Sequence, residues 1–298
     1  MTIPLTIDDL LTPFMLEGAQ VRGRVVRLGH VAQTILARYD YPAPVARLLG
    51  ELLVVAAMLS SNLKHEGIFT IQIRGEGPVP LVVVDAVYGG QIRGFADVPE
   101  ASRAALAALP HYSPRAVVGE GAYLAITFDP GEQGQRYQGI VALEGDSVGE
   151  ALTAYFTHSE QLDIWVKLTL SDGAPWVAGG VIIERMPDSS AASESHEEAW
   201  RYAKAVASTI TDAELRDPLL DAPALLYRLF HEQGVWVYDA HPLSVGCRCS
   251  RARISDLLMS MSLADRADMV VDGVASVHCQ FCNQSEIFTP AQLGLSVS

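Results

Sequence analysis

Several chemistries are missing from this chain. It contains no G-x-x-x-x-G-K-[ST] sequence, and so no phosphate-cradling P-loop. H-E-x-x-H is absent as well, which removes a common metallohydrolase arrangement. Gly75-Glu76-Gly77 begins like a dinucleotide loop, but Pro78 and Pro80 leave it a turn between strands. No group of residues supplies a nucleophile, a base and an orienting partner, so the chain reads as a non-enzyme. Basic residues are scarce, 21 Lys and Arg against 35 Asp and Glu, for a net charge of −14. Phosphate binding needs a basic surplus on some face, so nucleic acid is not expected as a partner. The most apolar stretch, Leu48 to Leu59, carries Gly50 and Glu51 and is short for a bilayer span, so no membrane is expected either. The first cation is Arg22, which argues against a basic signal-peptide start and places the protein in the cytoplasm. Cysteine is rare, at four residues in 298. Cytoplasmic cysteines stay reduced unless they have a task.

What is present suggests an α+β protein in three parts. Residues 1–183 read as a core domain with a largely antiparallel sheet and one buried helix. Val21 to Arg27 alternates as a half-buried strand does, and a helix is expected from Val31 to Arg38. Pro42 and Pro44 stand where a helix start tolerates proline, ahead of an almost wholly apolar run to Leu63. Strands follow at Ile68–Arg74, Leu81–Val87 and Gln91–Phe95, separated by Gly/Pro turns as in a meander. Ala122–Phe128, Tyr137–Leu143, Ile164–Leu170 and Trp176–Ile183 continue the pattern. Glu51 in the apolar helix is expected to pair with Arg47, four residues earlier.

Residues 184–234 read as a helical linker, opening with the small, acidic segment from Met186 to Ser195. Ser195 and Glu198 form a candidate capping box. The helix after it gathers Ala199, Ala203, Val206, Ala207 and Ile210 on one face. A face built of alanines buries little area, so it should hold weakly, and leucine at 203 and 207 should tighten it if the groove has room. A second helix starts at Pro223, carries Leu225, Leu226, Leu229 and Phe230, and stops at Gly234.

Residues 235–298 hold Cys247, Cys249, Cys279 and Cys282, as C-x-C and then C-x-x-C. Residues two apart on an extended chain face the same side, and a C-x-x-C turn does the same for its pair, so all four reach one ion. Four thiolates close a tetrahedral zinc site and leave no open position for Lewis-acid catalysis. Arg248, Arg251, Arg253 and His278 stand near enough in sequence to offset the site charge. A thioredoxin-like centre would want its C-x-x-C beside a βαβ unit, and haem attachment would want His where Asn283 stands. An iron–sulfur cluster also takes four thiolates. On spacing alone, a purely structural zinc ribbon is the commoner outcome.

Cys247-Arg248-Cys249-Ser250-Arg251 and His278-Cys279-Gln280-Phe281-Cys282-Asn283 resemble the zinc signatures of the heat shock protein 33 family, also called the 33 kDa chaperonin. Leu49-Gly50-Glu51-Leu52-Leu53, the Gly75–Pro78 turn and Leu229-Phe230-His231-Glu232 are similar to family positions, in the family's order. Glu286 departs from the pattern, which has an aromatic residue there. The resemblance implies an ATP-independent holdase, inactive while reduced and holding one Zn²⁺ per chain. It implies activation by Cys247–Cys249 and Cys279–Cys282 disulfides, with zinc release, linker unfolding, dimerisation and binding of unfolding client proteins. Leu225, Leu226, Leu229 and Phe230 are the candidate client-binding residues. The alternatives are an enzyme or nucleic-acid-binding protein with a structural zinc ribbon, or a thiol–disulfide oxidoreductase.

Overall fold

Two sheets share one apolar helix. In chain order, β1 (Leu10–Leu16) and β2 (Val21–Leu28) form a hairpin, followed by α1 (His30–Leu36) and α2 (Ala43–Ser60). Next come β3 (Ile68–Arg74), β4 (Leu81–Val87), β5 (Gln91–Asp97), α3 (Arg103–Ala107) and α4 (Pro114–Val118). Then follow β6 (Tyr123–Asp129), β7 (Tyr137–Ala142), α5 (Val148–Tyr155), β8 (Ile164–Leu170) and β9 (Ala178–Arg185). The linker contributes α6 (Glu194–Ala207), α7 (Asp212–Arg216) and α8 (Ala222–Phe230), and then β10 (Val235–Val237), β11 (His241–Pro242) and β12 (Ser244–Val245). The rest comprises α9 (Arg251–Ser260), α10 (Leu263–Asp268), β13 (Ala275–His278) and β14 (Ser285–Phe288). This computed structural model describes residues 7–17, 20–61, 63, 66–131, 134–186 and 194–295.

The first sheet runs β10-β1-β2-β9-β8, with β11 also on β1; the second runs β12-β5-β4-β3-β6-β7. Among the described residues, every strand pairing is antiparallel except β12 on β5. The expected meander holds for β3, β4 and β5, but β6 returns to β3 on its far side. The α+β reading is right, with two sheets in place of one. The polypeptide divides at Val245/Gly246 into two compact units. Residues Val235–Val245, grouped by sequence with the cysteines, instead pair with β1 and β5 and belong to the larger unit.

Helix α2 touches strands of both sheets and is apolar on all sides for that reason. At 18 residues it is long and apolar enough to cross a membrane. Its burial in the core, rather than its length, is what marks it as a core helix. Its one carboxylate, Glu51, accepts from Arg47 Nε at 3.1 Å and Tyr112 Oη at 2.8 Å. Burial nonetheless raises the Glu51 pKa, against the pull of both donors. The native state therefore binds this proton more tightly than the unfolded chain. The resulting stability is present at low pH and fades as pH climbs through the raised value. Glu51→Gln should gain on the parent between pH 5 and pH 8. Urea midpoints across that range check this, and a gap that narrows with rising pH contradicts it.

A second core lies on the other face of the first sheet, under the linker. Phe14, Val25, Val181 and Ile183 form its floor, and Trp200, Ala203, Ala207, Leu215, Leu226 and Phe230 close it. Phe14 and Phe230 stack at 6.0 Å between ring centroids. A side chain at Gly179 would press within 3.0 Å of the Leu215 carbonyl oxygen, so glycine there lets α7 lie close on β9. Ala203 and Ala207 are fully buried. Leucine at either position would have to displace the side chains that enclose it, and should loosen this docking by about 1–3 kcal/mol instead of tightening it. Trp200 adds the bulk that the alanine-rich reading of α6 missed. That helix starts at Glu194, and the Ser195 side chain lies outside the described residues, as does 187–193 of the linker segment.

Candidate metal centre

Two local structures deliver the four sulfurs. Cys247 and Cys249 lie on the extended segment that leads into α9, whose first turn is capped by Ser250 Oγ accepting from the Arg253 N–H at 3.2 Å. The N-terminal end of that helix carries partial positive charge, which suits neighbouring thiolates. Cys279 and Cys282 occupy the turn of the β13–β14 hairpin. There the Cys279 N–H donates to Gln284 O at 2.9 Å and the Asn283 N–H to Cys279 O at 2.8 Å. Asn283 takes φ +59°, a left-handed position that asparagine tolerates.

All four Sγ atoms lie within 4.8 Å of one another. Cys247–Cys249, Cys249–Cys282 and Cys247–Cys279 are separated by 3.2, 3.4 and 3.7 Å. A tetrahedral ion with Zn–S bonds of about 2.3 Å requires sulfurs roughly 3.8 Å apart. The donor set fits such an ion. The four are free thiols and half-buried. Burial alone would raise the Cys247 thiol, but donation from the Cys249 N–H and the other thiols outweighs it and lowers this group to about 7. The hydrogen bond to Cys247, then burial, drives Cys249 upward, and burial raises Cys282. Crowded sulfurs thus share protons until a cation replaces them.

The rest of this unit is slight. Among the described residues, its fully buried apolar side chains are Leu258, Ala275, Phe288 and Leu293. Glu286, out of place for the family pattern, ion-pairs with Arg251 Nη1 at 2.7 Å. The same guanidinium donates to Ile287 O at 2.8 Å and lies 4.4 Å over the Phe288 ring. Arg251, expected to offset the sulfur charge, is therefore the tie between α9 and the hairpin. Arg253 donates to the Arg248 carbonyl, and His278 bonds with Ser285 Oγ. Removing the Arg251 side chain costs a cation–π contact and an exposed ion pair, about 1–2 kcal/mol together. Arg251→Ala should weaken zinc retention on the order of tenfold in competition with a chromophoric chelator. Unchanged retention would show that the tie is idle.

The model of the Hsp33 protein family matches residues 9–289. The chain belongs to the Hsp33 family. The 33 kDa chaperonin of Caulobacter vibrioides (strain NA1000 / CB15N) is 39% identical over 285 residues, spanning 93% of this chain and 94% of that protein. Its counterpart in Pseudomonas fluorescens is 37% identical, spanning 96% and 92%. The crystal structure of the Thermotoga maritima 33 kDa chaperonin superposes with a TM-score of 0.79 over 96% of this chain and 97% of that one, at 20% identity. This Hsp33 family chain therefore has a chaperone's ancestry and a chaperonin's fold, with four cysteines placed to hold a metal ion. Of the four candidate client-binding residues, all on α8 of the linker, Leu225, Leu226 and Phe230 are buried in the core between the linker and the first sheet, and Leu229 is partly so.

Proposed function

We propose that this chain is a redox-switched, ATP-independent holdase of the cytoplasm. The observation that carries the reading is the contrast within residues 246–298: four sulfurs within reach of one ion, on a unit in which four apolar residues are fully buried among the described residues. Cys247, Cys249, Cys279 and Cys282 hold one zinc ion in the reduced state. Zinc supplies charge neutralisation and a crosslink that keeps the four thiolates deprotonated and the unit folded.

Deprotonated sulfurs react with peroxide or hypochlorous acid without first losing a proton. Each cysteine pair gives up two electrons to the oxidant and closes a disulfide. Proximity alone leaves the partners open, since the cross-pair sulfurs, at 3.4 and 3.7 Å, lie within half an ångström of the 3.2 Å between Cys247 and Cys249. The family relationship supports Cys247–Cys249 and Cys279–Cys282. Sulfurs joined in a disulfide no longer serve as thiolate ligands, and so small a core does not hold the unit alone. Loss of that fold frees the linker, dimerises the chain, and uncovers Leu225, Leu226, Leu229 and Phe230 for unfolding clients.

Oxidation with hypochlorous acid tests this. Zinc release, loss of far-UV dichroism and suppression of client aggregation should rise together. A reduced, zinc-loaded protein that suppresses aggregation equally well ends the reading, as does zinc release without any holdase activity.

A further inference from the structure

The linker does not rest on apolar contact alone. Three cations rim the sheet face beneath it, and each one meets the linker. Arg27, at the end of β2, donates from Nη2 to the Glu214 carbonyl at 2.7 Å and from Nη1 to the Asp217 carbonyl at 3.1 Å, closing off the C-terminal end of α7. Lys167 on β8 pairs with Asp212 at 3.2 Å. Arg185 on β9 pairs with Glu197 of α6 at 2.6 Å. Between them lies the floor of Phe14, Val25, Val181 and Ile183, with Gly179 admitting a helix backbone at close range. Arg27 is nine-tenths buried, and its Nε still has no hydrogen-bond partner. It lines a cavity of about 630 Å³ between the sheet and Pro218–Pro223. The linker thus satisfies this surface incompletely.

We propose that this face selects acidic, amphipathic helical segments of other proteins, and that the linker occupies it as an internal stand-in for them. The proposal rests on the linker opening described above, and adds the chemistry of what replaces it. Such a segment offers small or aliphatic residues to the floor, carboxylates to Lys167 and Arg185, and C-terminal carbonyls to Arg27. The polarity is opposite to what bulk charge would favour. A chain of net charge −14 attracts basic peptides from solution, so a preference for acidic ones has to come from this site.

The test uses the oxidised, zinc-free full chain and two peptides of roughly 20 residues, long enough to hold a helix. Both share one Leu/Ala face; one carries glutamates on its flanks and the other lysines. Fluorescence anisotropy should show the glutamate peptide binding about tenfold more tightly, a few rim contacts' worth of preference. Lys167→Glu with Arg185→Glu should reverse the order. Should that variant misfold, Lys167→Gln with Arg185→Gln must bring the two affinities to within about twofold, since the rim charges are gone. Equal binding by the parent, binding of neither peptide, or a preference untouched by the variants overturns the proposal. Aggregation suppression on the same sample separates the two readings. Intact suppression without peptide preference removes only the acidic selection, whereas lost suppression removes the holdase reading and this one with it.

Discussion

Stripping the metal with a strong chelator under reducing conditions should unfold residues 246–298 and leave the larger unit folded. Zinc binding in modules of this kind is worth ~10–16 kcal/mol at pH 7, against about 5–15 kcal/mol for the whole stability of an ordinary domain. Leu258, Ala275, Phe288 and Leu293 cannot replace that. The larger unit has a core continuous from α2 to both sheets and includes none of the four cysteines. Hydrogen exchange should therefore show near-complete loss of protection in β13 and β14, with β3, β4 and α2 unchanged. Persistent protection of the hairpin without metal would mean that the sulfurs are incidental to the fold. Elemental analysis finding iron in place of zinc would rule out the zinc site.

Ala207→Asp should switch the protein on without oxidant. Ala207 is fully enclosed in the core beneath α6. A carboxylate there is buried without a partner, at a cost of about 3–5 kcal/mol. That lowers the protection of α6 and α8 by a factor on the order of 10²–10³. The cysteines are untouched, so zinc should stay bound. The reduced, zinc-loaded variant should then suppress client aggregation that its parent does not. Linker amides as protected as the parent's would show that α6 contributes little to closure. An open linker with no holdase activity would place the client site elsewhere.

The cysteine site was the most legible part of the chain, because C-x-C and C-x-x-C bring sulfurs together through local geometry. The strands β3, β4 and β8 were readable for a similar reason: alternation and turn residues bound them on both sides. Strand β1 was not. Pro13 lies in its middle, opposite Arg24, and proline argues against a strand flanked on both sides. The structure accommodates it where β10 and β11 leave a gap between their pairings with β1. Strands β10, β11 and β12 are two or three residues long and show no periodicity. Only partners far away in sequence define them, so they read as part of the cysteine region that follows. The cation rim was also invisible. Arg27, Lys167 and Arg185 are scattered along the chain, and only the first sheet sets them around one face.

The pairing of β1 with β10 and β11 matters before the protein is complete. The strands that cover the outer edge of β1 are made roughly 220 residues after it. At ~5–20 residues per second, that edge waits on the order of ten to forty seconds for its neighbour. Throughout synthesis the nascent chain displays unpaired backbone donors and acceptors beside Phe14 and Leu16, the kind of edge that recruits strands from other chains. During that interval a protein of chaperone ancestry is itself in need of one.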